Sequence, residues 1–171
     1  MNPLNPEDAA VEKPPRPLVG VGAVIFNATT TQVLLIRRGH APAEGHWSVP
    51  GGMVERGEML AVACAREVEE ETGLRVKVHA QPVKIIERVI QQDTDVAYHY
   101  LIIDFLAEVM GGELQANDDA AAVEWVPMAD LKGRLTTAGL EEMLERAKQV
   151  AVGEETRVPL LSQIDTVDRS H

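Results

Sequence analysis

The chain has a single cysteine, Cys64, in 171 residues. No intramolecular disulfide is possible, so no disulfide framework holds the fold, and a reducing compartment suits it. Nor is there an apolar run near the roughly 18 residues that a membrane-crossing helix needs. The opening stretch, MNPLNPEDAAVEKPPRP, lacks the basic start and apolar centre of a secretory signal. These absences lead us to expect a soluble cytoplasmic protein. Positive charge is also scarce: Lys plus Arg number 16 against 27 Asp plus Glu, for a net charge of -11. That disfavours nucleic acid or an anionic membrane as a main partner. An acidic protein acting on a phosphate compound would need cations to bridge the two. The five histidines show no metal-ligand spacing. The rest is ordinary for a globular protein, 45% hydrophobic and 25% charged, at a length that favours one domain with a sizeable core.

Residues 1–17 hold five of the ten prolines. Proline fixes φ and removes a donor, so this stretch reads as an extended, weakly ordered arm, with a dimer contact or a flap as functional alternatives. Leu18 to Phe26 is short, apolar and β-branched, as a buried strand is. Asn27 to Gln32 reads as a turn and Val33 to Ile36 as a second strand, which together predict a hairpin. A loop follows Arg37 and Arg38, then a short strand, His46 to Val49, and a Pro50-Gly51-Gly52 turn. A helix is expected over Glu58 to Thr72, with an apolar stripe of Leu60, Ala61, Cys64, Ala65 and Val68 at helical spacing. Gly73 stands where positive φ ends a helix. Strands are expected at Arg75 to Val78, Val83 to Ile90, within Val96 to Met110, and at Val123 to Val126. Pro127 suits the start of a short helical turn. Leu140, Met143, Leu144 and Ala147 predict a last amphipathic helix, capped by Thr136 or Thr137. Strands on both sides of a central helix, with a second helix late, predict an α/β/α sandwich with a mixed sheet, an α/β fold. That domain would span 18–151, with a C-terminal tail at 152–171. No internal repeat is visible.

The stretch PGGMVERGEMLAVACAREVEEETGL, Pro50 to Leu74, carries the chemistry. Glu67, Glu70 and Glu71 stand at i, i+3 and i+4, so they converge on one side of the helix and repel one another unless a cation is present. A glutamate-rich helix is most often a solvated face. Here the row adjoins an apolar stripe and follows a Pro-Gly-Gly turn. Carboxylate oxygen is the hard ligand that Mg²⁺ and Mn²⁺ prefer, and Mg²⁺ commonly combines one or two carboxylates with waters and substrate phosphates.

Gly52, five residues, Glu58, seven residues, then Arg66-Glu67-Val68-Glu69-Glu70-Glu71-Thr72-Gly73-Leu74 resembles the complete signature of the Nudix hydrolases. Seven fixed residues match, which by chance is on the order of 10⁻⁸ per start position at typical residue frequencies. The resemblance implies Mg²⁺-dependent hydrolysis (Mn²⁺ being possible) of a nucleoside diphosphate linked to another moiety. It implies metal binding by Glu67, Glu70 and Glu71, with the Gly51 carbonyl as a further ligand and Glu58 supporting the metal site. Arg66 would orient the glutamates by ion pairing; read from the residues alone, it makes an i,i+4 pair with Glu70. Family members take the proton of the attacking water on a box glutamate or on a distal-loop acid, here Glu71 or Asp119, with Asp118 and Glu113 as alternatives. Of Arg37 and Arg38, Arg38 better matches a phosphate-contacting position. A homodimer is implied as well.

Outside that stretch, Glu87-Arg88, Tyr98 to Leu106, Gly111 to Glu113, Asp118-Asp119 and Trp125 to Pro127 resemble the ADP-ribose pyrophosphatase subgroup. A proline about sixteen residues past the signature, found in one ADP-ribose group, is absent. The alternatives are a nucleoside triphosphate pyrophosphatase, including cleaners of 8-oxo-dGTP, and a non-catalytic nucleotide-binding regulator. Phe26, Tyr98, Tyr100 and Phe105 could each stack on a base, and the sequence does not choose among them; Trp47 and Trp125 read as packing residues.

Overall fold

A computed structural model of the chain describes residues 16–40, 43–92, 95–117 and 120–153. The expectations for the arm before residue 16 and the tail after 153 lie outside these. In chain order the elements are β1 (Leu18–Val24), β2 (Gln32–Arg38), β3 (Trp47–Ser48), β4 (Gly51–Met53), α1 (Leu60–Thr72), β5 (Leu74–Gln92), β6 (Asp95–Gly112), β7 (Ala120–Pro127), a 3₁₀ helix (Met128–Gly133) and α2 (Leu140–Ala151).

Two sheets form the middle layer. The first runs β4-β1-β6-β5 and is mixed, with β1 parallel to β6 and antiparallel to β4. The second, β3-β2-β7, is antiparallel. Alternation along the strands sends successive side chains to opposite faces. Val21, Ala23, Ile25, Ile103 and Phe105 pack with Cys64 and Val68 of α1. Val24, Leu35 and Leu106 pack with Leu140, Met143 and Leu144 of α2 on the other face. One helix therefore covers each face, the α/β/α sandwich expected. Each fully buried Leu or Val at these contacts is worth roughly 1.5–3 kcal/mol of transfer free energy.

Several local expectations are corrected. The β1–β2 hairpin is only a stub, and the two strands part into different sheets. The expected turn at 27–32 is there, closed by the Asn27 N–H on the Gln32 carbonyl at 3.0 Å, and beyond it the chain segments pair only at a Phe26–Val33 bridge and a 2.9 Å bond from Leu34 N–H to the Ile25 carbonyl. Each strand is buried on both faces, so strands distant in sequence, not the nearer neighbour, set its pairing. Gly51 and Gly52 are not a turn but strand residues, opposite Gly22 and Val21. The strands expected at 75–78 and 83–90 are one long strand, β5, whose register slips between Val78 and Lys84 around Pro82. α1 begins at Leu60 rather than Glu58, and its buried face is Ala63, Cys64, Val68, Glu71 and Thr72. The expected stripe is thus rotated, and it gains a threonine whose hydroxyl donates to the Val68 carbonyl at 2.6 Å. α2 begins after Gly139, which has positive φ, with no side-chain cap from Thr136 or Thr137. Gly73 ends α1 as expected, with φ 70° and its N–H on the Glu69 carbonyl.

Candidate active site

β4 is an edge strand, and α1 crosses beside it. Val19–Val54 and Ala23–Pro50 contribute the hydrogen bonds that flank the β1–β4 ladder. Gly51 and Gly22 are therefore a non-hydrogen-bonded pair, and the backbone groups of Gly51 turn away from β1. Its N–H donates to Glu71 Oε2 at 2.8 Å. Glu71, although an acid, is buried. The next residue, Gly52, turns to the α1 side, where a Cβ would run into the Glu67 carboxylate. Glycine is thus required at 52 because Glu67 lies against it.

Arg66 organises the acids. Its Nε and one terminal nitrogen donate to the two oxygens of Glu58 at 2.9 and 3.0 Å. The other terminal nitrogen donates to Glu67 Oε1 at 2.8 Å and Glu70 Oε2 at 2.9 Å, and the Met53 carbonyl accepts a further bond. This goes well beyond an i,i+4 pair with Glu70. Both Glu58 oxygens are engaged, one of them also by the Glu55 N–H. Glu58 thus buttresses Arg66 with both of its carboxylate oxygens. Hydrogen bonding to Arg66 holds the Glu58 carboxyl below the usual range. Burial pushes Glu67 upward, against the pull of Arg66. The bond to Glu58, more than any other contact, raises Arg66 further, so it stays charged.

Glu67, Glu70 and Glu71 open onto one cavity of about 660 Å³, a nucleotide-scale space. Its floor is the α2-side face of the first sheet: Gly20 and Gly22 from β1, Tyr100, Ile102 and Asp104 from β6, and Arg88 from β5. Its far wall is Thr137 to Leu140 with Met143. That wall is tied down from two sides. Arg88 donates to the Ala138 carbonyl at 2.9 Å. Trp47 exchanges backbone bonds with Leu135 and Thr137, while Arg134 stacks over its ring at 4.7 Å and grips Glu124 with two bonds.

Arg38 lines this cavity and Arg37 does not. Adjacent strand residues point to opposite faces, which removes Arg37 from the site. Asp119 and Asp118 lie outside the described residues; Glu113 is described but exposed and does not line the cavity, whereas Glu71 does. Of the aromatic candidates, Tyr100 reaches the cavity and stacks on Tyr98, with ring centroids 5.6 Å apart. Phe26 and Phe105 belong to the cores. Cys64 is core as well, and burial pushes its thiol up to about 12. Local sequence pattern does not mark Asp104, the Arg88 wall tether or the 137–143 wall as parts of a site. Asp104 did leave a signal: a lone charge within the apolar run of β6.

The donor chemistry fits a divalent cation completed by substrate. Among the described residues, no three acidic groups enclose an ion by themselves. Arg66 takes one oxygen each of Glu67 and Glu70 and leaves the other. One or two carboxylates plus waters and phosphate oxygens is the Mg²⁺ habit.

The chain belongs to the Nudix family, whose NUDIX domain pattern matches residues 16–147. An ADP-ribose pyrophosphatase of Methanocaldococcus jannaschii is 37% identical over 115 residues, 67% of this chain and 64% of that protein. An 8-oxo-dGDP phosphatase of Danio rerio is 32% identical over 109 residues, 61% of this chain and 30% of that protein. A MutT Nudix hydrolase from Burkholderia pseudomallei, solved by crystallography, shares the fold with a TM-score of 0.67 at 29% identity, covering 77% of this chain and 98% of that one. The chain spans less than two thirds of the length of these and other curated relatives that it matches. Among the described residues, no helix is long and apolar enough to cross a membrane.

Proposed function

We propose that this chain hydrolyses a phosphoanhydride bond of a nucleoside diphosphate derivative, with ADP-ribose as the substrate and AMP and ribose 5-phosphate as products. The observation that carries this is the opening of Glu67, Glu70 and Glu71 onto the same cleft as Arg38 and a nucleoside-sized space. The choice of ADP-ribose leans on the archaeal relative's name and on the β5–β6 resemblance.

Glu67 and Glu70 would hold the divalent cation, taken to be Mg²⁺, with the Gly51 carbonyl beside them. When bound, the cation draws charge from the phosphoryl group and lowers the pKa of water. Glu71, fixed by the Gly51 N–H, accepts a proton from the attacking water. The water oxygen bonds to phosphorus, and the bond from phosphorus to the bridging oxygen breaks. That oxygen departs on the other phosphate. Arg38 contacts the phosphates, and Arg66 keeps the carboxylates in place without touching the reacting atoms.

A second reading is pyrophosphate release from a nucleoside triphosphate such as 8-oxo-dGTP; the zebrafish relative's name, an 8-oxo-dGDP phosphatase, supports the oxidised guanine nucleotide in it and not the triphosphate. A panel of ADP-ribose, ADP-sugars and triphosphates, with Mg²⁺ or Mn²⁺ and products separated by chromatography, decides. AMP with ribose 5-phosphate supports the proposal. A nucleoside monophosphate with inorganic pyrophosphate supports the second reading. Nucleotide binding with no product release would make the chain a non-catalytic regulator.

A further inference from the structure

Asp104 is the polar group of the cleft that the reaction above does not use. Its neighbours Ile103 and Phe105 turn into the α1 core. Asp104 therefore takes the other face of β6 and joins Tyr100 and Ile102 in the cleft floor. It is 3% exposed. No side chain among the described residues hydrogen-bonds its carboxylate; Lys84, opposite it in the β5–β6 ladder, and Arg88 act on it as charges without a hydrogen bond. Nor is it sealed in, because no wholly buried side-chain oxygen or nitrogen among the described residues lacks a partner. The unpartnered oxygens therefore look into the cleft. The space they occupy exists because residue 22 is glycine. Parallel register sets Gly22 beside Asp104, and a Cβ there would run into Asp104 Oδ1 and crowd Val49.

A desolvated carboxylate without a hydrogen-bond donor destabilises a fold, and native structures seldom keep one idle. Burial pushes this one up to about 6, so at pH 7.5 it is mainly ionised and only accepts hydrogen bonds. Its place says what would donate. Gly51, Gly22 and Asp104 form one row across β4, β1 and β6. At about 4.8 Å per strand, Asp104 lies about 10 Å from the Gly51 end, where the acid row sits. That is beyond a diphosphate and within reach of the nucleoside. Around it the floor and wall offer Ile86, Ile102, Met143 and Tyr100, apolar and aromatic faces of the kind a flat base covers.

We propose that Asp104 is a specificity-determining residue of the cleft, accepting a hydrogen bond from the exocyclic amino group of the substrate's base. This rests on the reading of the cleft as a nucleotide site, and it goes beyond it by naming which chemical feature of the nucleoside is read and by which atom. A charge-assisted bond of this kind discriminates by about tenfold or more.

The test is binding, which does not depend on the reaction. Calorimetry with Mg²⁺ compares ADP, purine riboside 5′-diphosphate (which lacks the amino group) and 2′-deoxy-ADP, on the wild type, Asp104→Asn and Asp104→Ala, each checked for folding by thermal melting. The wild type should bind ADP at least about tenfold tighter than the purine analogue. Asp104→Ala should abolish that preference, and Asp104→Asn, which keeps an acceptor oxygen, should retain part of it. The proposal is overturned if the wild type binds both bases alike, if Asp104→Ala weakens both equally, or if the loss follows the 2′-hydroxyl instead of the amino group. If no nucleotide binds the folded wild type, the nucleotide reading of the cleft itself has failed, and the two failures are thereby told apart.

Discussion

Arg66 and Asp104 carry charge at the site in opposite ways. The Arg66 guanidinium meets three glutamates and a carbonyl with a fork that lysine does not have. Arg66→Lys should therefore lower kcat/KM by about 10- to 100-fold, mainly by raising the Mg²⁺ concentration needed, as loss of a ligand-orienting partner does. A Mg²⁺ titration of initial rates checks this. Asp104 is raised from 3.8 to about 6 because the folded state penalises its charge. A carboxyl that binds its proton more tightly when folded favours the fold below its unfolded pKa, and that contribution is lost as pH climbs through about 6. The loss amounts to about 3 kcal/mol at full extent. Asp104→Asn should accordingly melt above the wild type at pH 8, with the gap closing towards pH 4, as read by calorimetric melts. At this scale the acids were legible because their spacing is unbroken. Asp104 was not, because its meaning depends on Gly22, some eighty positions earlier, brought beside it by parallel pairing.

α1 and β4 act as one element, although the sequence presents β4 as a turn. Three residues are too few to show alternation, and two of them are glycines, which read locally as a turn. Their glycine character comes from α1 instead: Glu67 lies against Gly52. Gly52→Val should therefore displace that carboxylate and reduce activity by orders of magnitude while leaving a cooperative melt, since the strand stands at an edge. The cleft wall depends on α2, whose periodic apolar residues made it legible. Leu144 is fully buried against β-sheet residues. Leu144→Ala should cost about 2–5 kcal/mol in chemical denaturation, the range for a buried leucine truncated in a core. The hairpin's failure to extend past the Phe26–Val33 bridge has the same cause as the missed β4. Local patterning marks a strand, whereas its partner is chosen by burial on both faces, and β1 finds β6 across most of the domain.

As a whole molecule, the chain would set a net charge of -11 against the anionic substrate proposed for it, and the acid row deepens that conflict. The sandwich addresses it by placing the acids at a sheet edge, where Arg66 offsets part of their charge and a cation with the substrate phosphates can offset more. The family, and with it the proposed reaction class, was therefore legible from one stretch of sequence. The substrate was not, because the cleft draws on β1, β5, β6 and the approach to α2, which come together only on folding. If cation and nucleotide bind the folded state, saturating both should raise stability, by about 2.7 kcal/mol at a hundredfold excess over Kd. The most direct test of the account is AMP release from ADP-ribose, followed across a Mg²⁺ titration for the wild type and Glu70→Gln. We expect no wild-type release with chelator, a saturable rise with Mg²⁺, and a Glu70→Gln rate at least about tenfold lower that demands more Mg²⁺. Release that persists in chelator, or Glu70→Gln turnover equal to wild type at every Mg²⁺ concentration, would contradict the metal site on which the account stands.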